Sequence, residues 1–183
     1  MAVRISMLLI LILGAGCQGT RPSCASATWL PFHSIDYTRN DADLRPGHGA
    51  TLSFDVGRFM GEMPVALEIG ISELDDDDGS EATAYALGVR LWPCMDRELG
   101  DHVETYLGVG ASYLFIDRDA AHDVIGLGPE VSATLACAFG QRDRNRLRLG
   151  VQAKLGGWFG YDGDNAVLGY TAAAGMFLCY GDP

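Results

Sequence analysis

Between Val103 and Gly140 the chain runs through two long stretches of alternating residues, separated by a short polar segment, Asp117–Asp123. In the first stretch Leu107, Val109, Ala111, Tyr113 and Phe115 fall on one side, and Glu104, Tyr106, Gly108, Gly110 and Ser112 on the other. In the second, Ile125, Leu127, Val131, Ala133, Leu135 and Phe139 oppose Gly126, Gly128, Glu130, Ser132, Thr134 and Ala136. Successive side chains of a β-strand point to opposite faces, so a period of two predicts strands with one apolar face. Both stretches exceed the usual strand of about five or six residues. They match the roughly 9–11 residues with which a tilted strand crosses a bilayer.

The same alternation recurs in Thr51–Met60, Val65–Leu74, Ala82–Trp92, Arg146–Phe159 and Ala166–Tyr180. Trp29–Arg39 alternates poorly and contains Pro31, which cannot donate to a sheet ladder, so its strand is the weakest of eight. The segments between are short and polar: Asn40–Gly49, Gly61–Pro64, Asp75–Glu81, Pro93–His102, Gln141–Asn145 and Tyr161–Asn165. Short links make sequential strands antiparallel neighbours. The fold class is therefore all-β, a closed antiparallel up-and-down barrel of about eight strands.

Two architectures share this pattern. A soluble barrel turns its apolar face inward around a ligand; a membrane barrel turns it outward to lipid. The second face decides between them. It is mostly Gly, Ala, Ser and Thr with a few charges, too small and bland to solvate a soluble protein. It suits the cramped interior of an eight-stranded barrel. A basic side chain at mid-bilayer would cost about 2–4 kcal/mol. Asp55, Glu68, Arg90, Glu104, Glu130, Arg148 and Lys154 are thus predicted to form an ionic network inside the lumen.

With its alternation, its strand count and glycine-rich runs such as Leu107-Gly108-Val109-Gly110-Ala111-Ser112-Tyr113, the chain resembles the small outer-membrane β-barrel superfamily, which includes the OmpA transmembrane domain and OmpX. The resemblance implies the bacterial outer membrane as location. It implies outer-membrane lipids, lipopolysaccharide and the barrel-assembly machinery as partners. Members usually end on an aromatic residue; here Tyr180 is followed by Gly181-Asp182-Pro183.

The N-terminus carries Arg4, the apolar run Met7–Leu13 and then small residues, the order of a secretory signal peptide. Leu13-Gly14-Ala15-Gly16-Cys17 resembles a lipoprotein lipobox, with Cys17 as the lipidated residue. Ala25-Ser26-Ala27 is the competing cleavage site. The expected organisation is signal peptide 1–16, periplasmic tether 17–28 and barrel 29–181. A formal charge of −11 over 183 residues argues against nucleic acid as partner. After the leader, no apolar run is long enough for a spanning helix.

If the N-terminal end of the barrel faces the periplasm, Cys24, Cys94, Cys137 and Cys179 all lie at that end, where disulfides persist. Three pairings are open. One joins the first strand to the last, Cys24–Cys179, and leaves Cys94–Cys137; four unpaired thiols are the competing expectation. The run Asp75–Glu81 and the echo Asp162-Gly163-Asp164-Asn165 offer oxygen ligands to divalent cations, but complete no calcium-loop spacing; a solvated anionic loop is the simpler reading.

The four histidines, His33, His48, His102 and His122, read as surface or loop residues. None has a serine two residues away, the spacing that would place base and nucleophile on one strand face. Trp92, Tyr113, Phe115, Trp158, Phe159, Tyr161 and Tyr180 lie near strand ends and suit interfacial girdles, with Trp92 and Trp158 alternatively filling the lumen. No catalytic, metal or cofactor set emerges. The leading expectation is a non-enzymatic outer-membrane barrel with a structural or surface-interaction role. A lipid A-modifying acyl hydrolase or transferase, a soluble lipid-tethered carrier of an apolar ligand and a narrow channel are its competitors.

Overall fold

A computed structural model describes residues 24–37, 44–59, 63–75, 80–94, 102–119, 122–140 and 146–181. Eight strands close into a barrel: β1 Cys24–Tyr37, β2 Arg45–Phe59, β3 Met63–Asp75, β4 Glu81–Cys94, β5 Val103–Arg118, β6 Val124–Phe139, β7 Arg146–Asp162 and β8 Asn165–Gly181. Each pairs antiparallel with the next, and β8 returns to pair with β1. The strands are 13 to 17 residues long, long enough to cross an apolar layer and extend past it. The signal peptide and Cys17 lie outside the described residues.

The strands tilt, as closure requires. A row of paired residues starting at Thr28 passes through Thr51, Gly70, Ala86, Leu114, Gly126, Gly160 and Val167. It does not come back to Thr28. Val167 lies beyond Gly169, which faces Tyr37, so the row has climbed the length of β1 in one circuit. Below, the end holding Cys24 and Gly181 is the terminal end; the other is the loop end.

Strand β1 begins at Cys24, so Cys24–Thr28 belong to the wall and not to a tether. Its weak alternation has a local cause. Trp29 pairs with Met176 but Phe32 with Ala174, so two residues, Leu30 and Pro31, bulge against Gly175 alone. Before the bulge Thr28 and Leu30 face inward; after it, Ile35 and Tyr37 do. The bulge absorbs the proline's missing donor and reverses the parity of the strand. Gly175 permits the close approach: a Cβ there would sit 1.9 Å from the Trp29 carbonyl oxygen.

The apolar faces look outward. Leu127, Val151 and Leu155 are 59–61% exposed, whereas Glu104, Arg148 and Lys154 are at most 5% exposed. A soluble carrier would need the reverse. The small inner face predicted from sequence holds for β3, β4 and the middle of β5 to β7. Nearer the loops the lumen is apolar instead: Ile35, Leu74, Ile116, Val124 and Trp158 pack there with almost no exposure. Substituting Val131→Arg, an outward residue facing Val109 and Leu155, is expected to lower stability by about 2–4 kcal/mol in lipid bilayers. Urea unfolding of liposome-embedded protein reads this; a change near zero would mean that Val131 does not meet lipid.

Candidate functional site

Among the described residues, six of the seven predicted luminal charges fall into two clusters. The charged groups of the central cluster come from four strands. Arg90 on β4 contacts Glu68 on β3 (Nη1–Oε2, 2.7 Å) and pairs closely with Glu130 on β6. Lys154 on β7 reaches across to Glu68 and donates to Thr51 Oγ1 on β2 at 3.2 Å. The formal charges of these two acids and two bases cancel. A buried charge is tolerated only when paired and hydrogen-bonded, and here both acids are. Gly108 gives Arg90 its place, since a Cβ there would lie 2.7 Å from the Arg90 Cδ.

The second cluster lies at the terminal end. Glu104 on β5 accepts from Arg148 Nε at 2.6 Å and from Arg146 Nη1 at 3.1 Å, and Tyr106 donates to it. Arg148 Nη1 also donates to the Gly181 carbonyl at 2.7 Å, tying β7 to the end of β8. Arg146 and Tyr106 were absent from the predicted set, although both lie on the inner face by alternation. Between the clusters runs a neutral polar layer: Thr28 Oγ1 donates to Gln152 Oε1 (3.1 Å) and Gln152 Nε2 to Thr134 Oγ1 (2.9 Å). Asp55 behaves differently from the other six predicted residues. Half-buried, it accepts from the Gly57 N–H at 3.1 Å, where β2 bulges against β3.

Toward the loops, Trp158 fills the lumen, which settles its role against a girdle position. Its indole lies against Gly126 and Gly169, where a Cβ would come within 2.5 Å and 2.3 Å of it, and its ring centroid is 5.8 Å from that of Tyr37. Arg118 Nη1 donates to Tyr37 Oη at 2.8 Å above this plug. The Trp92 side chain lies outside the described residues.

His33 is not a surface residue. Past the β1 bulge it turns inward, and its Nδ1 shares a hydrogen bond of 2.5 Å with Ser72 Oγ on β3. Gly49 leaves room for this serine; a Cβ there would be 2.2 Å from Ser72 Oγ. The pair lies between the central ionic cluster and the apolar plug. Of the other histidines, His48 and His122 are exposed, His48 beside Glu73 at 3.3 Å, and His102 is exposed at the start of β5.

The outer wall has two girdles. At the loop end, Ala50, Ile71, Tyr85, Phe115, Ile125 and Tyr161 lie on one row of paired residues, and all are apolar or aromatic. Two positions further along, His48, Glu73, Thr83 and Asp117 form a polar row. The boundary between oil and water on β2 to β5 thus follows a ladder row. At the terminal end Phe139, Leu147 and Tyr180 share another row. Beside the polar row, Pro46, His48, Glu73, Asp75, Glu81 and Thr83 line a shallow pocket of about 470 Å³. Residues 76–79 of the acidic run lie outside the described residues. Among the described residues, no three His, Cys, Asp or Glu side chains are grouped to hold a metal ion.

Cys137 is free and faces outward, so a Cys94–Cys137 bridge is not formed. Its position on β6 alternates with that of Ala136, which is 1% exposed inside the barrel. Cys179, buried on the inner face of β8, is disulfide-bonded.

No protein-family model matches the sequence, and no curated protein matches it. Among solved structures it is similar to Neisserial surface protein A (NspA), with a TM-score of 0.59 at 12% identity, over 89% of this chain and 99% of that one. The fold is that of the small eight-stranded outer-membrane barrels. Two structures from Pseudomonas aeruginosa also match: the N-terminal β-barrel domain of OprF (TM-score 0.39, 11% identity, covering 86% of this chain and 99% of that one) and outer membrane protein OprG (TM-score 0.38, 14% identity, covering 90% and 99%).

The central cluster gives a direct test. Removing one partner of a buried ion pair leaves an uncompensated charge and costs about 3–5 kcal/mol. Arg90→Met is expected to lose stability in that range, because Glu68 and Glu130 both lose their shared cation. The double variant Arg90→Met/Glu130→Gln is expected to recover part of the loss. Denaturant unfolding followed by tryptophan fluorescence measures both. If the two substitutions simply add, Arg90 and Glu130 are not coupled.

Proposed function

We propose that this chain is an outer-membrane β-barrel of structural or surface-interaction type, without catalytic turnover and without a conducting pore. The observation that carries this reading is the filled lumen. From the terminal end upward, the axis is crossed by the Glu104 cluster, a threonine–glutamine layer, the Glu68–Arg90–Glu130–Lys154 cluster and the apolar plug around Trp158. These stacked layers support a lumen that offers solute no continuous wet path. The wall is then the working surface on its lipid side, and the polar segments at the loop end are the parts that meet solvent, divalent cations or lipopolysaccharide. Lipidation at Cys17 belongs to this reading as a second membrane attachment.

One observation favours a hydrolase, the His33–Ser72 hydrogen bond. A base within reach of a hydroxyl is the first requirement for nucleophilic acyl transfer. The second is a path for the acyl substrate to the hydroxyl. Here the serine is 4% exposed, with the apolar plug on one side and the ionic cluster on the other. The pair is better suited to satisfying two buried polar groups than to chemistry.

Two measurements decide between these readings. Purified protein in planar bilayers is expected to give no steady conductance. Expression in a Gram-negative host is expected to leave the lipid A mass spectrum unchanged. A new deacylated or acylated lipid A species that disappears in Ser72→Ala would establish the hydrolase or transferase instead, and stepwise single-channel currents would establish a pore.

A further inference from the structure

Barrel closure depends on one strand pair that joins the two ends of the chain, β1 with β8. The lumen is packed unevenly along this seam. Toward the loops an extensive apolar cluster backs the wall, whereas at the terminal end a smaller one gathers Tyr106, Ala136, Phe177 and Cys179 among the described residues. The seam therefore has less apolar backing where both strands end. Cys179 lies there, 3% exposed and disulfide-bonded.

Its partner can be found by elimination. Bridged cysteines have Cα atoms within about 7 Å, so among the described residues the second sulfur comes from an adjoining strand. β8 adjoins only β7 and β1. β7 contains no cysteine. Cys137 is free. Cys94 lies on β4, three strands from β1 and four from β8, where it faces Leu107 of β5. On β1, Ser26 is the direct neighbour of Cys179, and Cys24 is the neighbour of Gly181. Cys24 is thus two residues from Ser26 on β1, diagonal to Cys179 in the ladder.

We propose that Cys24 and Cys179 form a disulfide that staples the β1–β8 seam at the terminal end and holds the barrel closed. In forming it, the two thiols lose two protons and two electrons to a disulfide of a thiol–disulfide oxidoreductase, which becomes a dithiol. A dithiol reductant reverses the step, breaking the S–S bond, restoring both S–H groups and leaving as the cyclic disulfide. The covalent ring spans nearly the whole barrel, and cross-links that close long loops constrain the unfolded chain most. The staple acts beside the Arg148–Gly181 hydrogen bond, which ties the end of β8 to β7 on its other side. It therefore makes closure of this barrel dependent on an oxidising compartment.

The test uses the full chain folded in detergent or liposomes. Proteolysis without reductant, followed by mass spectrometry, is expected to yield one cross-linked peptide joining Cys24 to Cys179. A link from Cys179 to Cys17 or Cys94, or no link, overturns the proposal. Heating before gel electrophoresis supplies the second readout. The temperature at which the compact band gives way to the extended one is expected to fall by about 10 °C when wild-type protein is unfolded and refolded under dithiothreitol. Cys24→Ser is expected to show the lowered temperature with or without reductant. If wild-type protein is indifferent to reduction, the bond does not secure the seam. That result would leave the sealed-lumen reading intact, because conductance is read separately.

Discussion

Inside hydrocarbon no water is present to accept from a backbone N–H or donate to a carbonyl, and each unmet group costs several kcal/mol. A sheet in that medium must have no edge. This single constraint fixes most of what is seen here. It demands a closed ladder, and β8 returns to β1 to supply it. Closure of eight strands demands tilt, so rows of paired residues climb the wall. It also makes the lumen too narrow to stay empty, so side chains fill it. The ionic clusters follow from the first requirement rather than from any need for charge. Where the outer face is given over to lipid, a charged residue at that height can go only inward, and once inside it must find an opposite charge.

That logic explains how much the sequence disclosed. Alternation is a backbone property, so wherever a strand is regular the face of each residue can be read directly. Glu68, Arg90, Glu104, Glu130, Arg148 and Lys154 could be placed inside for that reason. Which of them touch could not be read, because contact across a lumen depends on stagger. Glu104 and Arg148 meet since β5 and β7 climb by different amounts from the common row, while Glu104 and Arg90, closer in sequence, end up in separate clusters. Arg146 and Tyr106 were legible as inward residues and lacked only the register that brings them to Glu104.

The places where sequence reading failed are those where alternation itself breaks. At Leu30–Pro31 two residues oppose Gly175, and every residue after them on β1 changes face. His33 was assigned to the surface and proves to be inside, bonded to Ser72, because the strand had slipped by one. The proline was the visible signal, since a residue with no N–H inside a strand usually marks a bulge or an edge, and this barrel has no edge. Cys137 is the opposite case. Its strand is regular, and alternation already put it beside Leu135 and Phe139 on the lipid face; grouping it with the other cysteines by barrel end alone overlooked the face.

The two halves of the lumen also show how a membrane barrel can be specified without a conventional core. At the loop end the Trp158 indole lies against Gly126 and Gly169 of the two adjoining strands, so the space left by missing side chains is filled by a neighbour's. At the centre and the terminal end the same filling is done by charged groups with defined partners. Dispersion is tolerant of small displacements, whereas a guanidinium facing two carboxylates fixes the strands that carry them to within a hydrogen bond's length. A slip of one residue at β4 would turn Arg90 out to lipid, take from Glu130 its guanidinium partner and leave Glu68 with Lys154. The buried ions therefore act chiefly on register: they make the correct stagger of β3, β4, β6 and β7 far more favourable than its neighbours, in a wall whose outer face, apolar between its polar ends, distinguishes those alternatives only weakly.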